Sequence, residues 1–470
     1  MASPPRPAAV TPDSAVAAPS ALAYAADPLT AARTAVAAAL ARAQAQGASQ
    51  AEASVHASSG HTVQVRRGEL ERIEHHTSLR LSITVYRGGR KGSASTSDTR
   101  PEEIAAAVDQ ALEIARHTGE DPYAGLLSPE DLAASPPGLD LDHPAALTLE
   151  EDVEEARAAE AAAFAADPRI VNSEGAQLRR NRGVLAYGNS HGFLDTYVGT
   201  RHTLSCTVVA ATPGAGTGTG MQRDYWDRAG RRPEDLGVPA ECGREAARRA
   251  LRRLGGRSLP SRRAPVLFEA PVAGGLIGHL LAAIDGGALY RRASFLLDAL
   301  GQPVLPVGCW IREAPHLPAG LGSAPFDGDG AATRAKDLVA DGVLTSYLLD
   351  GYAARRLGLA TTGNAGGYHN VLVEPGPLAL PALIRLLHCG LLVTEVLGFG
   401  VNPITGDYSR GVSGLWVEGG GIQYPVEEIT LAGNLKDMYR RIVAIGADVD
   451  RRGTLHTGSI LIEEMTLAGH

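Results

Sequence analysis

The chain has 470 residues, 44% of them apolar and only 5% aromatic, with 55 Gly and 29 Pro. That length and composition suit two or three globular domains rich in turns and exclude a fibrous protein. A net charge of −8, from 44 Lys and Arg against 52 Asp and Glu, argues against a nucleic-acid partner, and no window reaches the ~18 uninterrupted apolar residues of a membrane span.

Residues 1–28 are rich in Ala, Pro and Ser, with Arg6 as their one basic residue. They lack the apolar stretch of a signal peptide and read as a disordered tail. Cys206, Cys242, Cys309 and Cys389 form no Cys-x-x-Cys pair or disulfide framework, which fits reduced thiols and a cytoplasmic location. Thr30–Gln46 reads as an alanine-rich helix stopped by Gly47. Ala53–His56, Thr62–Arg67 and Leu79–Tyr86 alternate apolar and polar residues, as half-buried strands do. The Gly88-Gly89 turn and the returning Lys91–Ser97 complete an antiparallel meander. His75 and His76 are adjacent on a strand, point to opposite faces and cannot chelate together.

Thr99–Glu102 has the spacing of a capping box, with a helix to about His117. A Pro-rich loop follows over 121–147, a possible sub-boundary. A second capping box, Thr148 with Glu151, opens an acidic helix to about Ala166. Strands are expected at Gln177–Arg180, Val184–Asn189, Phe193–Val198 and His202–Ala211. Gly214–Gly220 is a glycine run without the dinucleotide fingerprint and reads as a turn. Pro233–Leu254 reads as one helix.

A composition shift near 259–264 divides an N-terminal α+β region (29–260) from a C-terminal domain (261–470). Short strands in series with few helices, including Leu378–Leu387 and a helix capped by Asn434, predict an α+β fold with a large, mainly antiparallel sheet. Within the C-terminal domain, Leu276, Ile277, Leu280, Leu281 and Ile284 recur at helical spacing. His279 on that helix has Gly275 and Ala283 one turn away on either side, so it has no local partner for a zinc ion. Asp327-Gly328-Asp329-Gly330 resembles the start of a calcium loop but fails at Ala331 and Leu338, and reads as a turn. Gly398–Gly414 places Asn402, Asp407, Tyr408, Ser409 and Arg410 beside a sheet. Such a surface suits an extended peptide added as a strand, and equally suits a turn-rich hairpin.

Several stretches resemble one family: GHLLAAIDGGALYRRASFL (278–296), HLPAGLGSAPFDGDG (316–330), ARRLGLATTGNAGG (354–367), GVNPITGDYSRGVSG (400–414), YPVEEITLAGNL (424–435) and AIGADVDRRG (444–453). They resemble the PmbA (TldE) branch of the TldD/PmbA proteins, from about Val266 to the end and more loosely over 30–260. The resemblance implies one half of a cytoplasmic heteromeric zinc metallopeptidase that cuts small or unfolded peptides, among them peptide-antibiotic precursors and antitoxins. The zinc half of that family carries a His-Glu-x-x-x-His helix and a distant cysteine. Laid on this chain, Gly278 and Ala283 stand at the histidine positions, His279 at the glutamate, and Leu455–His456 near the cysteine. The implication is a chain with no catalytic residue or cofactor of its own, zinc being held by a TldD-like partner, and Asn402 and 407–410 lining the peptide channel. A homodimer is expected when that partner is absent. Two other readings stay open: an independent hydrolase drawing ligands from His279, His316, His369 or His456, and a non-catalytic regulator that binds other proteins.

Overall fold

A computed structural model describes residues 27–212 and 220–469. The predicted tail up to residue 26, and the glycine run apart from Gly220, lie outside the described residues. The first half contains α1 (Pro28–Ala45), β1 (Gln50–Arg66), β2 (Glu69–Arg87), β3 (Arg90–Thr96), α2 (Pro101–His117), α3 (Leu149–Ala166), β4 (Ile170–Asn189), β5 (Leu194–Ala211), β6 (Met221–Gly230) and α4 (Pro239–Leu251). The strands form one antiparallel sheet in the order β3-β2-β1-β4-β5-β6. The strands are longer than the alternation alone delimits, because β4 runs unbroken through two predicted segments.

Period-two alternation decides what each face of this sheet meets. Ala51, Ala53, Val55 and Ala57 pack under α1 and α2, and Val63 and Val65 continue the same face under α3 and α4. Glu52, Ser54 and His56 therefore project from the opposite face, toward the C-terminal half. The helices are local products of their sequences. Thr148 and Glu151 cap α3 reciprocally, as expected. The predicted box at Thr99 does not form: Arg100 occupies the cap position, Pro101 begins the helix, and the Asp98 carboxylate accepts from the Arg100 N–H. Thr30 is not the start of α1; Pro28 is, with Asp27 as its cap. The helix expected over 233–254 is a short 3-10 turn, Pro233–Leu236, and then α4, because Gly237 adopts φ 62° between them. Only glycine takes that conformation at little cost.

Where α4 crosses α3, a Cβ on Gly243 would overlap the Ala159 carbonyl. Gly243→Ala is expected to destabilise the fold by about 1–3 kcal/mol through overpacking, read as a lower urea midpoint. An unchanged midpoint would show that the two helices have room to separate.

The second half contains β7 (Arg262–Phe268), α5 (Ala270–Ala283), α6 (Gly286–Tyr290), β8 (Ile311–Glu313), β9 (Lys336–Ala340), β10 (Val343–Leu344), α7 (Gly351–Leu357), β11 (Val371–Val373), α8 (Leu380–Leu387), β12 (Gly390–Leu397), β13 (Asp407–Glu418), β14 (Gly421–Asn434), α9 (Leu435–Arg440), β15 (Ile442–Ile445), β16 (Leu455–His456) and β17 (Ile460–Ala468). One sheet has the order β14-β13-β12-β7-β17-β15, and β14 also pairs with β17, so it folds back on itself. A smaller sheet runs β10-β9-β8-β11-β16. Pairing is antiparallel except β12 on β7 and β11 on β16. Val266 and Phe268 face α5 in the main core, while Leu267 faces α8. With both faces covered, β7 is apolar without a break from Ala264 to Phe268, after the exposed Arg262 and Arg263. The observed class is the α+β class expected. Among the described residues no helix is long and apolar enough to cross a membrane.

Candidate functional site

Helix α5 buries Leu276, Ile277, Leu280 and Leu281. Its carbonyl at Leu276 accepts from the Tyr439 hydroxyl at 2.7 Å. The opposite side is bare. Gly275 is exposed, Gly278 is half-buried, and a Cβ at either would meet nothing within 4 Å. Ala283, by contrast, is buried in the core. His279 packs edge-on against Tyr408, with ring centroids 6.2 Å apart. Burial, aided by the charge of Arg410, lowers the His279 pKa, so its imidazole is neutral at pH 7. Burial also pushes the Tyr408 hydroxyl up to about 12. His279 thus shares one neighbourhood with Tyr408 and Arg410, which lie more than a hundred residues further along the chain.

The rest of the predicted peptide surface is built differently from the expectation. Asn402 Oδ1 accepts from the N–H groups of Ile404 and Thr405 and closes a turn. Asp407 accepts from the Thr405 hydroxyl and the Asn434 amide, and these two hydrogen bonds lower its pKa. Arg410 donates to the Leu397 carbonyl at 2.9 Å. Residues 407–410 of β13 pair with 431–434 of β14 on one edge. On the other edge, Ser409 N–H bonds Gly400 O and Asn402 N–H bonds Asp407 O. Strand addition at 407–409 is therefore closed, because the main chain is already paired on both sides. What this segment offers is side chains: Asn402, Asp407 and Ser409 are exposed, Arg410 is half-buried, and Tyr408 is buried.

Sequence reasoning missed a cleft. The polar face of the N-terminal sheet roofs a space of about 460 Å³ whose floor is the 326–329 turn and the 365–369 loop. A second cleft, of about 680 Å³, adjoins it, and Glu52, Tyr187 and Asp329 line both. Phe326 wedges against Phe193 and Tyr197 at 5.2 and 5.5 Å between centroids, which seats the turn on the sheet. Asp327-Gly328-Asp329-Gly330 is the turn expected: Asp327 Oδ1 accepts from the N–H groups of Asp329 and Ala331. Burial and the adjacent Asp327 carboxylate push the Asp329 pKa up to about 7. The only hint in the sequence was the alternation of Glu52, Ser54 and His56, which announces a polar face without saying what it meets.

Each of the four histidines weighed as scattered ligands has its own partner, although His316 and His369 are near enough that His369, after burial, helps lower the His316 pKa. His316 Nε2 lies 2.8 Å from Thr333 Oγ1, His369 Nδ1 lies 3.0 Å from Glu313 Oε1, and His456 Nε2 lies 3.0 Å from Gly453 O. Among the described residues no group of three His, Cys, Asp or Glu is placed to hold a metal ion. Nor does the donor chemistry of α5 fit zinc, since Gly278 has no side chain and Ala283 is a buried methyl.

Comparison with known proteins places this geometry. The C-terminal domain of the PmbA/TldA metallopeptidases matches residues 261–469, their central domain 142–254 and their domain 1 residues 51–115. Metalloprotease PmbA of Escherichia coli O157:H7 is 48% identical over 418 residues, 89% of this chain and 92% of that protein. The chain belongs to the PmbA branch of this metallopeptidase family. A crystal structure from Bacteroides thetaiotaomicron, of a candidate modulator of DNA gyrase, superposes with a TM-score of 0.87 at 26% identity, covering 93% of this chain and 99% of that one. TldE from Thermococcus kodakarensis, at 20% identity, shares the fold with a TM-score of 0.80 over 93% of this chain and all of its own. In a PmbA-family chain, the bare side of α5 at Gly275 and Gly278 is thus a feature of a metallopeptidase fold whose helix here carries one donor side chain, His279.

Proposed function

We propose that this chain is the zinc-free subunit of a heteromeric metallopeptidase acting on small or unfolded peptides. The observation that carries the reading is α5: at the positions where the resemblance puts two histidines and a glutamate, Gly278, Ala283 and His279 stand. A TldD-like partner supplies the metal, and this chain shapes the space around the peptide. Gly275 and Gly278 leave room above α5 for a peptide, and Asn402, Asp407, Ser409 and Arg410 contribute polar side chains to its wall. Tyr408 packs edge-on against His279. Phe399 is fully exposed, and Leu397 and Ile404 beside it are also exposed. An apolar tip of this kind favours a protein interface, with the partner or, in its absence, with a second copy.

The chain purified alone is expected to hold no stoichiometric zinc and to leave an unfolded peptide intact. Adding a TldD-like subunit from the same cell should produce cleavage that a chelator stops. Chelator-sensitive cleavage by the lone chain would overturn the reading.

A further inference from the structure

The cleft of about 460 Å³ between the two halves is lined by Glu52, Asp327 and Asp329 and, among the described residues, by no Lys or Arg; the adjoining cleft, which Glu52 and Asp329 also line, carries Lys91 and Arg355. Two of these carboxylates are already engaged by the protein. Glu52 accepts from the hydroxyls of Tyr86 and Tyr187, both at 2.9 Å. Asp327 accepts three backbone N–H groups, from Asp329, Ala331 and Ala365. Asp329 differs: its Oδ2 accepts from the Gly351 N–H at 2.9 Å, and its Oδ1 has no hydrogen-bond partner among the described residues.

A second observation comes from the facing wall. His369 is buried, with 7% of its surface exposed, yet its ring lines the cleft. Its Nδ1 lies 3.0 Å from Glu313 Oε1, and Glu313 is fully buried behind it. Burial alone would push the Glu313 carboxyl up, but the hydrogen bond from His369 and the charge of Lys336 outweigh it and hold the pKa below the usual range. Glu313 is therefore an ionised acceptor, and His369 Nδ1 must carry the proton. In the neutral ring this leaves Nε2 as a bare lone pair. Nε2 has no hydrogen-bond partner among the described residues, and His369 lines the cleft. Asp329 and His369 both line this cleft, and neither Asp329 Oδ1 nor His369 Nε2 has a protein donor among the described residues, so each can accept from a ligand held there.

A ligand that satisfies both must donate several hydrogen bonds and carry positive charge. A primary ammonium has three donors and no acceptor. Tyr187, Tyr197, Tyr368 and Phe326 line the same space, and the faces of such rings attract cations. We propose that this cleft binds a primary ammonium group of a peptide, its amino terminus or a lysine side chain, between Asp329 and His369. Glu313 is a positioning residue that fixes the His369 tautomer. Only the peptide nature of the ligand rests on the peptidase reading. Binding is measured on the full chain without zinc or partner, so a failure here and a failure there are told apart.

The test is calorimetric titration of the full chain with a short unstructured peptide bearing a free amino terminus and one lysine. Three derivatives accompany it: N-acetylated, lysine replaced by norleucine, and both. Blocking the amine that occupies the cleft should weaken binding by about tenfold or more, the scale of one charge-assisted hydrogen bond. Loss on acetylation alone assigns the amino terminus, and loss with norleucine alone assigns the lysine. Asp329→Asn keeps an acceptor for Gly351 and removes the charge. It should weaken the free peptide by a similar factor and leave the doubly blocked peptide unchanged. His369→Gln should act in the same direction. Equal affinity for the free and doubly blocked peptides would overturn the proposal, as would an Asp329→Asn protein of unchanged affinity. Stoichiometric Zn²⁺ uptake lost in Asp329→Asn would also overturn it, since the site would then be a metal site.

Discussion

Glu269→Gln is expected to lower the stability of the chain by about 3–5 kcal/mol, the usual result of removing one partner from a buried ion pair. Glu269 is 5% exposed. It caps α5, the helix on which the functional reading turns, and it accepts from two arginines of the preceding half. Arg252 reaches both oxygens at 2.8 and 2.7 Å, and Arg249, itself buried, reaches Oε2 at 3.3 Å. Arg249 continues to Asp224 and to the Thr394 carbonyl. One carboxylate thus joins α4, the end of β7 and β12. Burial pushes its pKa up, but the hydrogen bond and charge of Arg252, with Arg249 behind them, outweigh burial and hold it below the ordinary value. Because the folded pKa is lowered, this stabilisation is present above the unfolded pKa and is lost as pH falls through the folded one. Urea unfolding at pH 7 should therefore separate the two proteins widely, and the gap should close in strong acid. A loss below about 1 kcal/mol at pH 7 would match an exposed pair and show that water reaches the junction.

The sequence was legible wherever a signal is local. The reciprocal cap of Thr148 and Glu151 depends on four consecutive residues and formed as read. Alternation named the inner face of β1, and helical spacing named the buried face of α5. The signals that misled were also local ones, overridden by neighbours: Pro101 and Asp98 moved the start of α2, and Gly237 broke a helix that reads as continuous. The site was legible in part. His279 could be seen to lack a ligand at helical spacing, yet nothing in the spacing could bring Tyr408 and Arg410 to it. The strand-adding edge at 407–409 looked open because the sequence does not show that Gly400 and Asn402 double back and pair with it. The cleft was invisible for the same reason. Its two unpaired acceptors lie on a turn and a loop, at Asp329 and His369, and its roof comes from Glu52, on the first strand of the chain.

Asp329 supplies the second large effect, and it has the opposite sign. Its carboxyl rises from an ordinary 3.8 to about 7, first through burial and then through Asp327, with Glu52 and Asp350 adding to it and the Gly351 N–H opposing. The folded state therefore binds the proton more tightly than the unfolded chain does. Below about pH 4 both states are protonated and the residue costs nothing. Between pH 4 and 7 the unfolded chain ionises first and stability falls. Above pH 7 the loss levels off on the order of 4 kcal/mol, at about 1.36 kcal/mol per pH unit. Asparagine has the same shape, keeps an acceptor for Gly351 and never ionises. Asp329→Asn is thus expected to unfold at higher urea than the parent at pH 8 and at the same urea near pH 4. Equal differences at both pH values would show that Asp329 titrates like a surface carboxylate. The native residue therefore holds a charge in a place where an uncharged isostere would make the fold more stable. Such a trade is typical of residues retained for binding or chemistry. An ammonium lodged beside Asp329 would supply a counter-charge from the side of the cleft that holds no Lys or Arg among the described residues, so a bound peptide should stabilise the parent protein most above pH 7, where the free carboxylate is most costly.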